Sequence, residues 1–198
     1  MERSNVKQKF SIRQMTMVGM LSAISIFLGL TGLGFIPIPP VKATIMHIPV
    51  IIGAIVEGPI VGALVGLVFG LFSMYQAFTA PLPTSFIFWN PIIALLPRVL
   101  IGIVAYYVFV FFKNKFKKKT VGIAIASILA TLTNTVGVLG LTYIIYLEKY
   151  ASALGLSTKA TGAAITTVGV TNGIPEAIIS AVISVPIILT VMKIKKVN

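Results

Sequence analysis

Residues 92–119 read IIALLPRVLIGIVAYYVFVFFKNKFKKK. Apolar side chains carry the stretch as far as Phe112, interrupted by one charge, Arg98, and a lysine-rich run from Lys113 to Lys119 ends it. A bilayer core takes roughly 20 apolar residues in a helix, and lysines that follow such a span mark its aqueous end. The segment predicts a transmembrane helix with an arginine inside it.

The rest of the chain has the same character. Of its 198 residues 57% are hydrophobic and 10% charged, with a mean hydropathy of +1.03. Soluble domains carry about 25% charged residues, so the composition is that of a polytopic membrane protein in contact with the lipid bilayer. The net charge of +12 is no nucleic-acid footprint, because the lysines sit at the ends of apolar spans and not along one soluble face. With no cysteine, no aspartate and a single histidine, disulfides, thiolate chemistry, a metal site and most catalytic pairs are excluded. No G-x-x-x-x-G-K-[ST] loop is present to use ATP, and no cofactor motif appears. The apolar run from Met15 to Ile36 is too long for a signal peptide and reads as a retained first helix.

Hydropathy predicts an all-α integral membrane protein, one membrane domain over residues 1–198, with helices near 14–33, 44–57, 59–79, 89–112, 121–147 and 163–192. Basic residues test the count of six. Arg3, Lys7, Lys9 and Arg13, the run Lys113, Lys115, Lys117, Lys118 and Lys119, and the tail Lys193, Lys195 and Lys196 all fall on one side. The other side holds Lys42, Lys149 and Lys159, beside Glu148. Positive charge marks the cytoplasm, so both termini are expected inside a cell membrane.

Small residues recur at helical spacing. Gly62, Gly66 and Gly70 line one face of the third helix, and Gly19 and Ala23 form a pair on the first. Such stripes let backbones approach in lipid, either within the bundle or against another subunit.

Polar residues within the spans are costly and face a partner or a cavity. Entering from outside, Arg98 lies ~13 Å deep at 1.5 Å per residue. Asn134 lies ~20 Å from the outer end of the fifth helix, and Asn172 and Glu176 lie ~13–20 Å into the sixth. The four converge on one level. Two readings stay open: a structural Arg98–Glu176 ion pair helped by Asn134, or an outward cavity in which Arg98 receives an anion and the asparagines bond polar atoms. Trp89 and Asn90, opening the fourth helix, and Tyr75 and Gln76, ending the third, are further candidates for its mouth, with Phe86 and Phe88 nearby. His47 reads as a hydrogen-bonded packing residue, and Glu57 as a structuring residue at the inner end of the second helix.

The segment HIPVIIGAIVEGPIVGALVGLVFGL, residues 47–71, together with chain length, six spans and the Gly19/Ala23 pair, resembles the substrate-binding S components of energy-coupling factor (ECF) vitamin transporters. Gly19 stands where that family's A-x-x-x-A motif has its first alanine. The resemblance implies a prokaryotic plasma-membrane protein that is not an enzyme and captures a vitamin or vitamin precursor outside the cell. Its pocket lies among the outer halves of helices 4 to 6, under a lid formed by GLGFIPIPPVKAT, residues 32–44. It also implies docking through the first helix onto a membrane coupling subunit driven by two ATPase subunits, followed by toppling that carries the pocket inward. The greatest similarity is to the pantothenate-specific branch. Pantothenate carries a carboxylate suited to Arg98, with an amide and hydroxyls suited to Asn134 and Asn172. Riboflavin, another vitamin, or a self-sufficient carrier of a small organic anion are the competing readings.

Overall fold

The chain is described from a computed structural model over residues 10–38, 41–116 and 118–197. Arg3, Lys7, Lys9, Pro39, Pro40 and Lys117 lie outside these described residues. Helix α1, Ile12–Thr31, starts in a capping box: Ser11 Oγ accepts from the Gln14 N–H at 3.2 Å, and Gln14 Oε1 accepts from the Ser11 N–H at 3.0 Å. It ends at Gly32, in the left-handed region.

The expected lid is ordered as an antiparallel hairpin, β1 Phe35–Ile38 and β2 Val41–Thr44, with Phe35 opposite Thr44. Alternating β-branched residues and prolines disfavour helix here and favour extended backbone. The second helix therefore begins four residues later than hydropathy suggests. This helix, α2, runs from Ile48 to Glu57, with Pro49 in its first turn. Every residue from Ile48 to Val56 is buried, as suits a helix apolar on all sides. At ten residues it is about 15 Å long, half a bilayer core.

Gly58 adopts φ +112°, a conformation that a side chain would strain, and turns α2 directly into α3, Pro59–Thr79. The glycine stripe of α3 is an internal crossing with α4, Pro91–Phe116. A Cβ on Gly66 would meet the Arg98 carbonyl, one on Gly70 would lie 2.7 Å from the Ala94 carbonyl, and Gly62 abuts Gly102. The α4 helix starts at Pro91 and not at 89, because Trp89 closes a short 3-10 helix, Ser85–Trp89. Asn90 caps α4, its Oδ1 accepting from the Ile92 N–H at 2.9 Å.

Helices α5, Lys119–Leu154, and α6, Thr158–Val197, extend well past the spans expected for them. The 36 residues of α5 would reach about 54 Å, against a bilayer core of ~30 Å, though α5 bends at Tyr146, whose backbone leaves helical geometry. The polar residues from Glu148 onward keep their backbone bonds in helix until Gly155 reverses the chain, so hydropathy stops where hydrogen bonding does not.

Five of these helices are long and apolar enough to cross a membrane; α2 is the short one. One end of the bundle is tied by charge. Glu57 Oε1 pairs with Arg13 at 3.0 Å and its Oε2 with Lys195 at 3.4 Å, joining the start of α1, the end of α2 and the end of α6. The hairpin and the 3-10 helix lie at the opposite end.

Candidate functional site

Under the hairpin lies a cavity of about 560 Å³, walled by the hairpin and helices α3 to α6. The four deep polar residues, Arg98, Asn134, Asn172 and Glu176, all reach it. Local structure explains how each is held.

Arg98 is 5% exposed and follows Pro97 within α4. Its Nη1 donates to the Ile93 carbonyl at 2.8 Å. Its guanidinium sits 4.8 Å from the Phe88 ring centroid and 5.7 Å from that of Phe69, within cation–π distance of both rings. Nε is buried without a partner. Arg98 and Glu176 do not form an ion pair; among the described residues the ion pairs join Arg13 and Lys195 to Glu57. The structural-pair reading is therefore set aside. A buried guanidinium that reaches a cavity and pairs with no protein carboxylate is a place for an anionic group.

Glu176 has a protein partner of another kind. Its Oε1 accepts from the backbone N–H of Thr44 at 2.8 Å, linking α6 to the hairpin strand β2. The carboxylate thus touches the hairpin and the cavity together. Asn134 and Asn172 each present a buried Oδ1 with no protein partner. Hydrogen bonding is nearly complete in folded interiors, so two orphaned amides on one cavity mark positions where a ligand or water supplies the donors.

Tyr75, Trp89, Asn90 and Phe86 fall outside the cavity wall. Tyr75 is exposed and stacks on Phe72. Trp89 stacks on Phe78, with ring centroids 5.5 Å apart, and donates from Nε1 to the Ala77 carbonyl at 3.2 Å. Asn90 caps α4 and reaches the Tyr146 hydroxyl at 3.5 Å. None of these three lines the cavity. Gln76 does line it, and its Nε2 donates to the Gly29 carbonyl at 3.2 Å. Phe86 is buried edge-on against Tyr146, under Lys149.

Phe69, Thr44 and the stacking role of Phe88 escape a reading of the sequence, since they depend on helix rotation and on the hairpin. His47 is fully buried at the start of α2. Thr131 Oγ1 donates to the Ser127 carbonyl at 2.8 Å, so it accepts from His47 Nε2 at 2.9 Å. The histidine packs α2 against α5 at this bond.

Among the described residues, apolar helices long enough to cross a membrane surround a partly polar cavity beneath a hairpin, which suits the holding of a small polar molecule within a bilayer. A family model described as "ECF transporter, substrate-specific component" matches residues 13–188, and the chain belongs to this family. It is a transporter component, not an enzyme, and works with membrane and ATPase components. Among curated relatives, the pantothenic acid transporter PanT of Lactococcus lactis subsp. cremoris is 34% identical over 168 residues, covering 78% of this chain and 80% of its own. The pantothenate transporter PanT of Leuconostoc mesenteroides subsp. mesenteroides is 39% identical over 119 residues, 57% of this chain and 58% of its own.

Proposed function

We propose that the chain is the pantothenate-binding subunit of its transporter, with Arg98 as the carboxylate clamp. The observation that carries this reading is the buried guanidinium, within cation–π distance of Phe69 and Phe88, which reaches the cavity and pairs with no protein carboxylate. Pantothenate carries a carboxylate, an amide and two hydroxyls. In this reading Asn134 and Asn172 accept from its amide N–H and a hydroxyl, and Glu176 accepts a hydroxyl while holding the hairpin closed through Thr44. The names of both relatives point to the same vitamin.

In the bilayer the chain crosses six times with both termini in the cytoplasm. The Arg13–Glu57–Lys195 cluster supports this, since it gathers three helix ends on one face with the basic α4–α5 turn. The second crossing is β2 followed by α2, which together make good the shortness of the helix. The cavity then opens outward. Gly19 and Ala23 lie exposed on α1, and a Cβ built on Gly19 meets nothing within 4 Å. This is the face offered to a coupling subunit that carries two ATPases.

Titration calorimetry of the detergent-purified protein tests the substrate. Pantothenate is expected to bind saturably and riboflavin not to bind. Arg98→Ala is expected to weaken pantothenate by about 100-fold, the weight of a charge-assisted hydrogen bond or two. Binding of a neutral vitamin that survives Arg98→Ala would refute the clamp, and uptake into vesicles by this chain alone would make it a self-sufficient carrier.

A further inference from the structure

The bond that orients Arg98 has an uncommon origin. In an α-helix the carbonyl of residue i is taken by the N–H of residue i+4, so the Ile93 carbonyl would ordinarily receive the N–H of residue 97. Residue 97 is proline, which has no N–H. The Ile93 carbonyl instead accepts from Arg98 Nη1 at 2.8 Å. The arginine folds back along its own helix to fill the gap that its neighbour leaves.

We propose that Pro97 is a positioning residue for ligand recognition: by withholding its N–H it reserves the Ile93 carbonyl for Arg98 and so fixes the direction in which the guanidinium meets the ligand. The proposal rests on Arg98 being the anion-binding group. Four further contacts make the arrangement selective for one geometry. The rings of Phe88 and Phe69 lie 4.8 and 5.7 Å from the guanidinium and limit where it can move. The Arg98 backbone is fixed where its carbonyl abuts Gly66. Pro97 itself is held by α5, since a Cβ on Gly137 would lie 3.0 Å from the proline Cβ.

With alanine at 97, the new N–H competes for the Ile93 carbonyl and the backbone bond prevails, being intrinsic to the helix. The guanidinium then keeps its charge and its aromatic faces but loses its directional anchor. The consequence belongs to recognition and not to folding. A proline inside a helix ordinarily weakens it, so its removal leaves the fold as stable as before or more so, while discrimination falls.

The test compares two ligands, pantothenate and its analogue with the carboxylate converted to a primary amide, on the full chain in detergent by calorimetry, with thermal unfolding of the ligand-free protein beside it. The parent is expected to prefer the carboxylate. Pro97→Ala is expected to reduce that preference by about tenfold, one charge-assisted hydrogen bond's worth, with amide affinity and melting temperature not lowered. Lactic acid installed at position 97, which has neither the N–H nor the ring, is expected to restore the parent preference. An unchanged preference in Pro97→Ala, an equal loss for both ligands, or no rescue by the N–H-free residue would overturn the positioning role. Arg98→Ala separates the premise from the inference: if the preference survives it, the clamp reading itself fails. Should Pro97→Ala not fold, the lactic acid and Pro97→Gly proteins give the same comparison, as glycine also supplies an N–H.

Discussion

Arg98 shows how much one side chain's surroundings decide. Its charge, sitting in an apolar span, identifies it at once, but the sequence leaves open whether Glu176 neutralises it. The two share a cavity without pairing, because Ile93 and the two phenylalanines hold the arginine while Thr44 engages the glutamate. Asn134 and Asn172 were legible for the same reason as Arg98: an amide in an apolar helix stands out, and helical rise gives its depth. Phe69 was not, and Phe88 was legible only as a residue near the mouth, since one phenylalanine among 12 carries no sign of what it stacks on. The Glu176–Thr44 bond gives a prediction of its own. Glu176→Ala is expected to free the hairpin, so the Thr44 amide exchanges with solvent faster by at least about tenfold, matching the loss of a hydrogen bond to a charged acceptor. Glu176→Gln keeps an acceptor oxygen and is expected to show a smaller effect. Hydrogen exchange of the ligand-free protein checks both, and equal protection in all three would remove the hairpin latch.

Among the elements, the α3–α4 crossing depends most on residue size. Gly62, Gly66, Gly70 and Gly102 bring two backbones together, and their spacing announced a packing stripe without naming the partner. Gly66→Val would drive side-chain atoms into the Arg98 carbonyl. It is expected to destabilise the protein by at least ~2 kcal/mol through overpacking and to impair ligand binding as well, because the same backbone carries the clamp. A lowered melting temperature together with weakened pantothenate binding is the expected result; parent-like values for both would show that the crossing can relax. The hairpin and α2 teach the converse. Hydropathy joined Thr44 to a helix because a strand and a buried helix are equally apolar, and only pairing with Phe35 separates them.

For the whole molecule, the question is which surface meets lipid and which meets a partner. Gly19 and Ala23 lie on an exposed face of α1 among Met20, Ile24 and Phe27. Gly19→Phe is expected to leave pantothenate affinity within about twofold, since the site is remote and surface changes are nearly neutral. It is expected to abolish ATP-driven uptake in vesicles holding the complete transporter. Unimpaired uptake would move the docking surface elsewhere. Since the chain has no cysteine, single cysteines at Lys195 and at Leu156 report orientation directly. Labelling of intact cells by an impermeant thiol reagent is expected at position 156 and not at 195, and the reverse pattern would invert the topology.

What the sequence determined by itself was set by solvation: a membrane protein, where its apolar segments lie, how its basic residues segregate, and which polar groups sit too deep to be left without a role. Each of these depends on the cost of moving a residue between water and lipid, which a residue carries wherever its neighbours are. Only the tertiary structure decided which face of each helix turns inward, that α2 is buried and short, that the segment before it is a hairpin, and that Arg98 is held by a carbonyl, two rings and no acid. Lipid and protein interior are almost equally apolar, so a membrane helix carries little amphipathic record of its own rotation. Contacts between helices have to supply it.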